Sequence, residues 1–390
     1  MKGDIQQQRI WAVQRFLNGE KAESICASLH RSKPWLYKWV ERHLNGGEDW
    51  SQSRSPCPLT TPTHTPPEIE EIVKMVRLHL YNRNVFCGAQ AIRWEMEELG
   101  VRTLPSIRTI NRILSRNGLT HRQTGIYEAK GKAYPKLPSL WPNQTHQADL
   151  VGPRYLKGPL RFYSVNVVDT ATGRCGIHPS DSKSGQSVID ALWAIWKRMG
   201  IPQNLQVDNE LSFYGSPTHP RGMGPLIRLC LQQGVEPWFI PLAEPWRNGV
   251  VEKFNDHYQQ RFLGKIPMAT EGDLLTESLA FEQRHNRSSY RYSKLGGKTP
   301  LKALEASNFP LRFPEQEEVP RHRLKKPLTG RYHLVRFIRA NRKLNIFGEL
   351  FPVPTRLEHE YVVATIDVKE QKLKLYLDKT QVEEYNYNLR

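Results

Sequence analysis

Gln147-Ala148-Asp149-Leu150-Val151 sets one acidic residue inside a short apolar run that reads as a β-strand. Asn204-Leu205-Gln206-Val207 reads the same way and delivers a second acid, Asp208, at its end. A third, Glu252, follows Trp246-Arg247-Asn248-Gly249-Val250-Val251 and opens a helix-like stretch through Phe262. A strand-borne pair and a helix-borne third converge only in a mixed α/β fold. Carboxylates gathered in this way suit Mg²⁺, a hard cation that prefers oxygen and keeps part of its water shell for a substrate phosphate. Two such ions, roughly 3.5–4 Å apart, activate an attacking hydroxyl and stabilise a departing oxygen in an in-line displacement at phosphorus. Taken singly, each acid has a plainer reading as a turn, cap or helix-dipole residue. Their order and flanks favour catalysis.

A core of about 140–308 surrounds these acids. Its strands are expected at Thr145–Leu150, Phe162–Val168, Arg174–Pro179, Asn204–Val207 and Val235–Ile240. Its helices are expected at Ser187–Met199, Pro225–Gln232, Val250–Phe262 and Asp273–Arg284. Strands first, then alternating helix and strand, give a mixed sheet covered by helices. Trp193 and Trp196 share a stretch with Ile189, Leu192 and Ile195 and are expected to face the core. Asp169 belongs to a turn, and Glu210 reads either as a cap of the next segment, the favoured reading, or as an auxiliary acid near the metals. Asn255 lies one helical turn beyond Glu252. It is left between orienting a carboxylate, touching DNA and forming a solvated stripe. Trp246 and Arg247, in a loop beside the acids, are candidates for stacking on or bonding to a DNA end.

The amino-terminal region, 1–50, reads as three helices, Gln7–Leu17, Lys21–Leu29 and Ser32–Leu44, with Ser32 as an N-cap. Trp35, Leu36, Trp39 and Val40 recur at helical spacing, leaving Lys33, Tyr37, Lys38 and Arg42 for another face. This is a helix-turn-helix pattern with a candidate recognition helix, and the pattern alone does not exclude a small tri-helical bundle with a solvated basic face. A Ser/Thr/Pro-rich linker spans 51–67. A second helix-turn-helix or winged-helix-like unit, 68–139, offers Arg108, Asn111, Arg112 and Arg116 to DNA beside an apolar stripe of Ile107, Ile110, Ile113 and Leu114. Beyond a second linker, 309–328, with Arg321, Arg323, Lys325 and Lys326, strands at Leu334–Ile338, Leu344–Phe351, Tyr361–Val368 and Lys372–Leu377 suggest a small antiparallel barrel over 329–390. Arg336, Arg339, Arg342 and Lys343 there are candidates for DNA backbone contact.

Lys and Arg number 56 against 39 for Asp and Glu, a formal charge of +17 over 390 residues. Such a surplus implies a polyanionic partner and salt-sensitive binding. The 5 Cys form no Cys-x-x-Cys pair, so neither a disulfide framework nor structural zinc is indicated. No apolar run reaches the roughly 20 residues needed to span a bilayer, so no membrane partner is expected.

Asp149, Val207-Asp208-Asn209, Asn248-Gly249 before Glu252-Lys253-Phe254-Asn255, and the tail His285-Asn286-Arg287 through Leu295-Gly296-Gly297-Lys298-Thr299-Pro300 together resemble the DDE transposase and retroviral-integrase superfamily. Bacterial insertion-sequence transposases with an integrase catalytic core are nearest in pattern. The resemblance implies a multidomain α+β chain with tandem helix-turn-helix units, an RNase H-like core and an SH3-like carboxy-terminal barrel. It implies Asp149, Asp208 and Glu252 as catalytic metal ligands for Mg²⁺, two ions in number, with Mn²⁺ as a substitute. Double-stranded DNA, both the terminal inverted repeats of a mobile element and the target, would be the partner of a homo-oligomer. The location implied is cytoplasmic, on the bacterial nucleoid. The chain departs from the pattern at Glu210, where many relatives carry Gly, and at Gln259, where many carry Lys or Arg. Lys253 and Arg261 are the nearby cations available for a DNA contact. The alternatives are a transposase-derived DNA-binding protein with an inactive core, and a tyrosine or serine recombinase that forms a covalent protein–DNA adduct.

Overall fold

Apolar residues on both sides of a strand call for cover on both faces of a sheet, and Arg161–Asp169 is buried at every position after the first. The computed structural model describes residues 2–53, 65–83, 85–120, 134–156, 161–215, 221–289, 292–316, 318–319 and 324–390. Much of the expected 51–67 linker, together with Arg321 and Arg323, lies outside the described residues. The chain forms two compact units, Met1–Pro66 and Pro67–Arg390.

The first unit holds α1 (Lys2–Leu17), α2 (Ala22–Leu29) and α3 (Lys33–Asn45). Ser32 caps α3 through Trp35 N–H, at 3.4 Å. Ala12, Val13, Ile25, Leu36 and Trp39 close the core between the helices.

The second unit begins with α4 (Pro67–Asn82), α5 (Ala89–Glu98) and α6 (Ile107–Arg116), again with a serine cap, Ser106 accepting from Thr109 N–H at 3.1 Å. Then come β1 (Thr145–Tyr155), β2 (Arg161–Asp169), β3 (Cys175–Ser180), α7 (Gly185–Met199), β4 (Asn204–Val207), α8 (Leu211–Tyr214), α9 (Pro225–Gln232) and β5 (Glu236–Phe239). A short 3₁₀ turn, Pro245–Asn248, leads into α10 (Gly249–Tyr258), which continues as a π-helical turn, Gln259–Leu263. The chain proceeds through α11 (Glu271–Arg284) and α12 (Pro300–Ser307) to β6 (Arg331–Phe337), β7 (Lys343–Ile346), β8 (Glu349–Pro352), β9 (Tyr361–Asp367), β10 (Lys372–Leu377) and β11 (Thr380–Asn386).

Among the described residues, nine strands share one sheet in the order β11-β10-β9-β6-β5-β4-β1-β2-β3. Within it, β3-β2-β1-β4-β5 has β2 antiparallel to both neighbours and β1, β4 and β5 parallel. This is the strand arrangement expected of an RNase H-like core. Trp193 and Trp196 of α7 are 1% and 0% exposed in the apolar core, as their spacing predicted. The opposite face carries a second cluster, in which Val251, Phe254, Tyr258 and Phe262 of α10 and its π turn meet Phe162, Cys175 and Phe281.

The small antiparallel barrel expected over 329–390 is not set apart from the core: its strands join the core sheet within one compact unit. Strand β6 continues the core sheet by pairing in parallel with β5, with Trp238 opposite His333 and Phe239 opposite Leu334. The physical reason is a shared core: Tyr332, Leu334, Val362 and Leu373 are buried in the same cluster as Phe239 and Leu226. Strand β5 thereby avoids presenting an open edge. Residues 344–351, expected as one strand, form instead the β7–β8 hairpin.

Candidate active site

The site is assembled from two glutamines in register. Gln147 on β1 pairs with Gln206 on β4, so the residues two further on, Asp149 and Asp208, point from the same sheet face at neighbouring positions. Both glutamines grasp the segment that carries the third acid. Gln147 Oε1 accepts from Val250 N–H at 3.0 Å and Val251 N–H at 3.2 Å, satisfying the otherwise open amino-terminal donors of α10. Gln206 Nε2 donates to the Arg247 carbonyl at 2.9 Å, and Asn248 Nδ2 donates to the Ala148 carbonyl at 2.9 Å. Glu252 therefore starts its helix pinned against the two strands bearing Asp149 and Asp208. It also complements the helix dipole.

Asp149 is fixed by a buried chain of polar side chains. Asn255 Nδ2 donates to Asp149 Oδ2 at 2.6 Å, Asn166 Nδ2 donates to Asn255 Oδ1 at 2.7 Å, and Ser164 Oγ donates to Asn166 Oδ1 at 2.8 Å. Asn255 thus orients a carboxylate; with its amide used on both sides inside the protein, the DNA-contact and solvated-stripe readings fall away. Asp208 Oδ1 accepts from Glu210 N–H at 3.1 Å in a local turn. Asn209 tethers that turn, donating to the Ile240 carbonyl at 2.6 Å while its Oδ1 accepts from Arg336 Nη2 at 2.9 Å.

The carboxylates feel one another. Burial raises Asp208 to about 6, and the charges of Asp149, Glu210 and Glu252 push in the same direction. Asp149 is raised by burial and by Glu210, and Glu252 by burial, Asp149 and Asp256. Glu210 stands at the start of α8 but makes no side-chain cap. Its carboxylate meets Lys183 at 3.2 Å, so the expected capping role is corrected. As a donor set, half-buried carboxylates that repel one another fit a hard divalent cation. Among the described residues, however, no group of three or more His, Cys, Asp or Glu side chains is close enough to hold a metal ion. The expected triad lies toward one end of the sheet without forming a closed ligand set.

Several expected DNA contacts are occupied within the protein. Arg247 lies 4.1 Å over the Tyr134 ring, binds Glu244 at 2.9 Å and donates to Tyr361 Oη at 3.0 Å. Arg261 donates to the Val85 carbonyl at 2.8 Å. Lys33 pairs with Glu23 at 2.5 Å, and Arg116 forms an ion pair with Glu70. Arg336 is only 5% exposed, its guanidinium lowered to about 10 by burial, so it is an internal strut and not a backbone contact. Lys326 donates to the Leu389 carbonyl at 2.8 Å. Trp246, at 61% exposure, Lys253, Tyr37, Lys38, Arg108, Asn111 and Arg112 are exposed, and Arg42 is half-buried 4.7 Å over Trp39. Gln259 accepts from Arg154 Nη2 at 2.6 Å, which brings a cation to the position where the pattern expects one. Sequence reasoning misses Gln147, Gln206 and Asn166 as site residues and offers Arg336 only as a DNA contact. The parity of Gln147 with Asp149, and of Gln206 with Asp208, was the available signal for two of them.

No protein-family model matches the chain. Among solved structures, the chain is similar to the HTLV-2 integrase catalytic core domain in complex with magnesium, at 17% identity and a TM-score of 0.33, covering 43% of this chain and 99% of that one. It is similar to a chain of the simian T-cell lymphotropic virus intasome in complex with PP2A regulatory subunit B56 gamma, at 15% identity and a TM-score of 0.35, covering 80% and 96%. The catalytic core domain of BIV integrase matches at 16% identity and a TM-score of 0.31, covering 42% and 95%.

Proposed function

We propose that the protein is a DNA transposase of the integrase-core type, which cleaves the 3′ ends of a mobile element and joins them to target DNA. The observation that supports it is the set of three half-buried carboxylates, Asp149, Asp208 and Glu252, brought to one end of a mixed sheet by the paired Gln147 and Gln206. These three would hold Mg²⁺. When bound, the metal supplies activation of an attacking hydroxyl and stabilisation of the departing oxygen.

The chain's own residues prepare that chemistry. Asn255 holds Asp149 in one rotamer with an oxygen committed to an amide donor. Gln147 fixes the start of α10 and hence the height of Glu252 above the sheet. Asn209 and Arg336 stop the Asp208 turn from drifting away from β5. The amino-terminal helices of each unit, with Tyr37, Lys38, Arg42, Arg108, Asn111 and Arg112, would grip the element's ends, and Lys253 and Trp246 the strand at the site. A homo-oligomer would hold two ends together.

Incubation with DNA carrying the element's ends and Mg²⁺ tests this reading. Strand-transfer products with no covalent protein–DNA adduct support it. A trapped protein–DNA adduct places the protein with the tyrosine or serine recombinases. End-binding without any cleavage supports the inactive, DNA-binding alternative.

A further inference from the structure

The face that carries the carboxylates does not end at β4. Cross-strand partners share a face, and the register runs Gln206 to Trp238, Trp238 to His333, and His333 to Thr365. The same side of the sheet that begins at Asp149 therefore continues over β5, β6, β9 and β10. There it opens into a cavity of about 700 Å³ lined by Tyr134, Trp238, His333, Tyr361 and Tyr376 among others. Trp238 lies one strand over and two residues back from the level of Asp208, roughly 8 Å away by strand spacing and rise.

The lining is partly aromatic, and its rings contact one another. Trp238 and His333 stack at 4.0 Å with an interplanar angle of 20°, Trp238 Nε1 donates to Asn204 Oδ1 at 3.1 Å, and His333 is held between Thr365 and Glu236 at 2.9 and 3.1 Å. Tyr134 meets Tyr361 edge-on at 5.4 Å, and Tyr361 Oη bonds Glu244. The charged lining nearly cancels, with Lys136, Arg331 and Lys379 against Glu360 and Asp378. A cavity of this size and polarity suits a flat, uncharged ring, while the exposed lysines and arginine meet a phosphate at its edge. A duplex cannot enter it. A nucleotide freed from its partner strand has both parts, a π-face for aromatic contact and a phosphate for the cations.

We propose that this cavity binds an unpaired nucleotide of the DNA strand adjoining the active site, so that an opened end is held on the carboxy-terminal strands beside the acids. The proposal rests on the transposase reading for the identity of the strand, but its test needs no cleavage. In buffer with EDTA, the full chain is titrated with a blunt duplex and with the same duplex carrying a single-stranded thymidine tail. The tail strengthens binding by about 5- to 100-fold, the range expected from stacking of one base. Tyr376→Ala combined with Lys379→Glu removes that gain and leaves blunt-duplex affinity unchanged. Lys136→Glu, at an exposed position, gives a smaller loss and serves if the double variant fails to fold. A 5-iodouracil in the tail cross-links to the cavity residues.

Equal affinity for tailed and blunt duplex overturns the proposal, as does a cross-link that maps elsewhere. Displacement of the tail by thymidine monophosphate at matching concentration also overturns it, assigning the cavity to free nucleotides. Tail binding without any Mg²⁺-dependent cleavage would retain the cavity and refute the transposase reading. Cleavage with no tail effect would do the reverse.

Discussion

Asn255 Nδ2 donates a 2.6 Å hydrogen bond to Asp149 Oδ2, joining the helix that carries Glu252 to the strand that carries Asp149. Asn255→Ala removes this bond and leaves the buried Asn166 amide without its acceptor. A cost of about 1–3 kcal/mol in stability follows. Cleavage should fall about 10- to 100-fold, as for other partners that orient a metal ligand. Asn255→Asp should be worse for cleavage, because it places a second carboxylate against Asp149. Denaturant melts and single-turnover cleavage rates check both, and an unchanged rate in Asn255→Ala would show that Asp149 needs no support.

Gln147 caps α10 through the backbone of Val250 and Val251. Gln147→Leu, close in size but without the acceptor, should cost about 0.5–2 kcal/mol. Amide hydrogen exchange should rise at the first turn of α10 while α7 stays protected. Uniform exchange across both helices would contradict the cap.

Asn209 links the Asp208 turn to Arg336 and to the Ile240 carbonyl. Asn209→Ala should lower cleavage at least tenfold, a loss of about 1.4 kcal/mol in transition-state stabilisation. Arg336→Met should destabilise more strongly, since the Ile240, Val335 and Asn345 carbonyls lose their donors together. Comparing melting temperature with cleavage rate separates the two variants. An Asn209→Ala protein that cleaves like wild type would disconnect β6 from the site.

His146 is held neutral by burial, lowered from 6.5 to about 4, and His285 likewise to about 3. Between pH 6.5 and 4 the unfolded chain binds more protons at these positions than the folded one, so their contribution is complete above 6.5 and is lost as pH falls. The slope approaches about 1.4 kcal/mol per pH unit for each histidine. Asp208, raised from 3.8 to about 6, acts in the opposite direction between those values and offsets one histidine. Urea unfolding at pH 7, 6 and 5 should show a net decline that His146→Asn makes shallower. A flat profile from pH 7 to 5 would contradict the burial of these rings.

Local pattern made the inner architecture readable. Asn204–Val207, Pro225–Gln232 and Lys372–Leu377 begin and end where period and turn residues place them. Ser32 caps as its position suggests. The carboxy-terminal strands were seen as strands but assigned to a separate barrel. Short alternating runs such as Lys372 to Leu377 report which face is buried, not which strand lies alongside, and only the β5–β6 pairing shows that. β11 escaped notice because Glu383 and Glu384 interrupt its alternation with adjacent charges. At the site, the acids were visible as charges at strand ends. Their supports were not, since Asn166 lies 89 residues from Asn255 and Arg336 lies 127 from Asn209. Arg336 and Arg247 looked like surface cations because a sequence does not show which guanidinium will be enclosed.

The most direct measurement compares wild type with Asp208→Asn in Mg²⁺-dependent nicking of DNA that carries the element's ends. The substitution removes one negative oxygen and keeps the side chain's shape. The account predicts nicking by wild type, its loss in the variant, as expected when a catalytic metal ligand is removed, and nearly equal binding of the ends by both. Equal nicking by the two proteins, or end-binding by wild type without any cut, would contradict it.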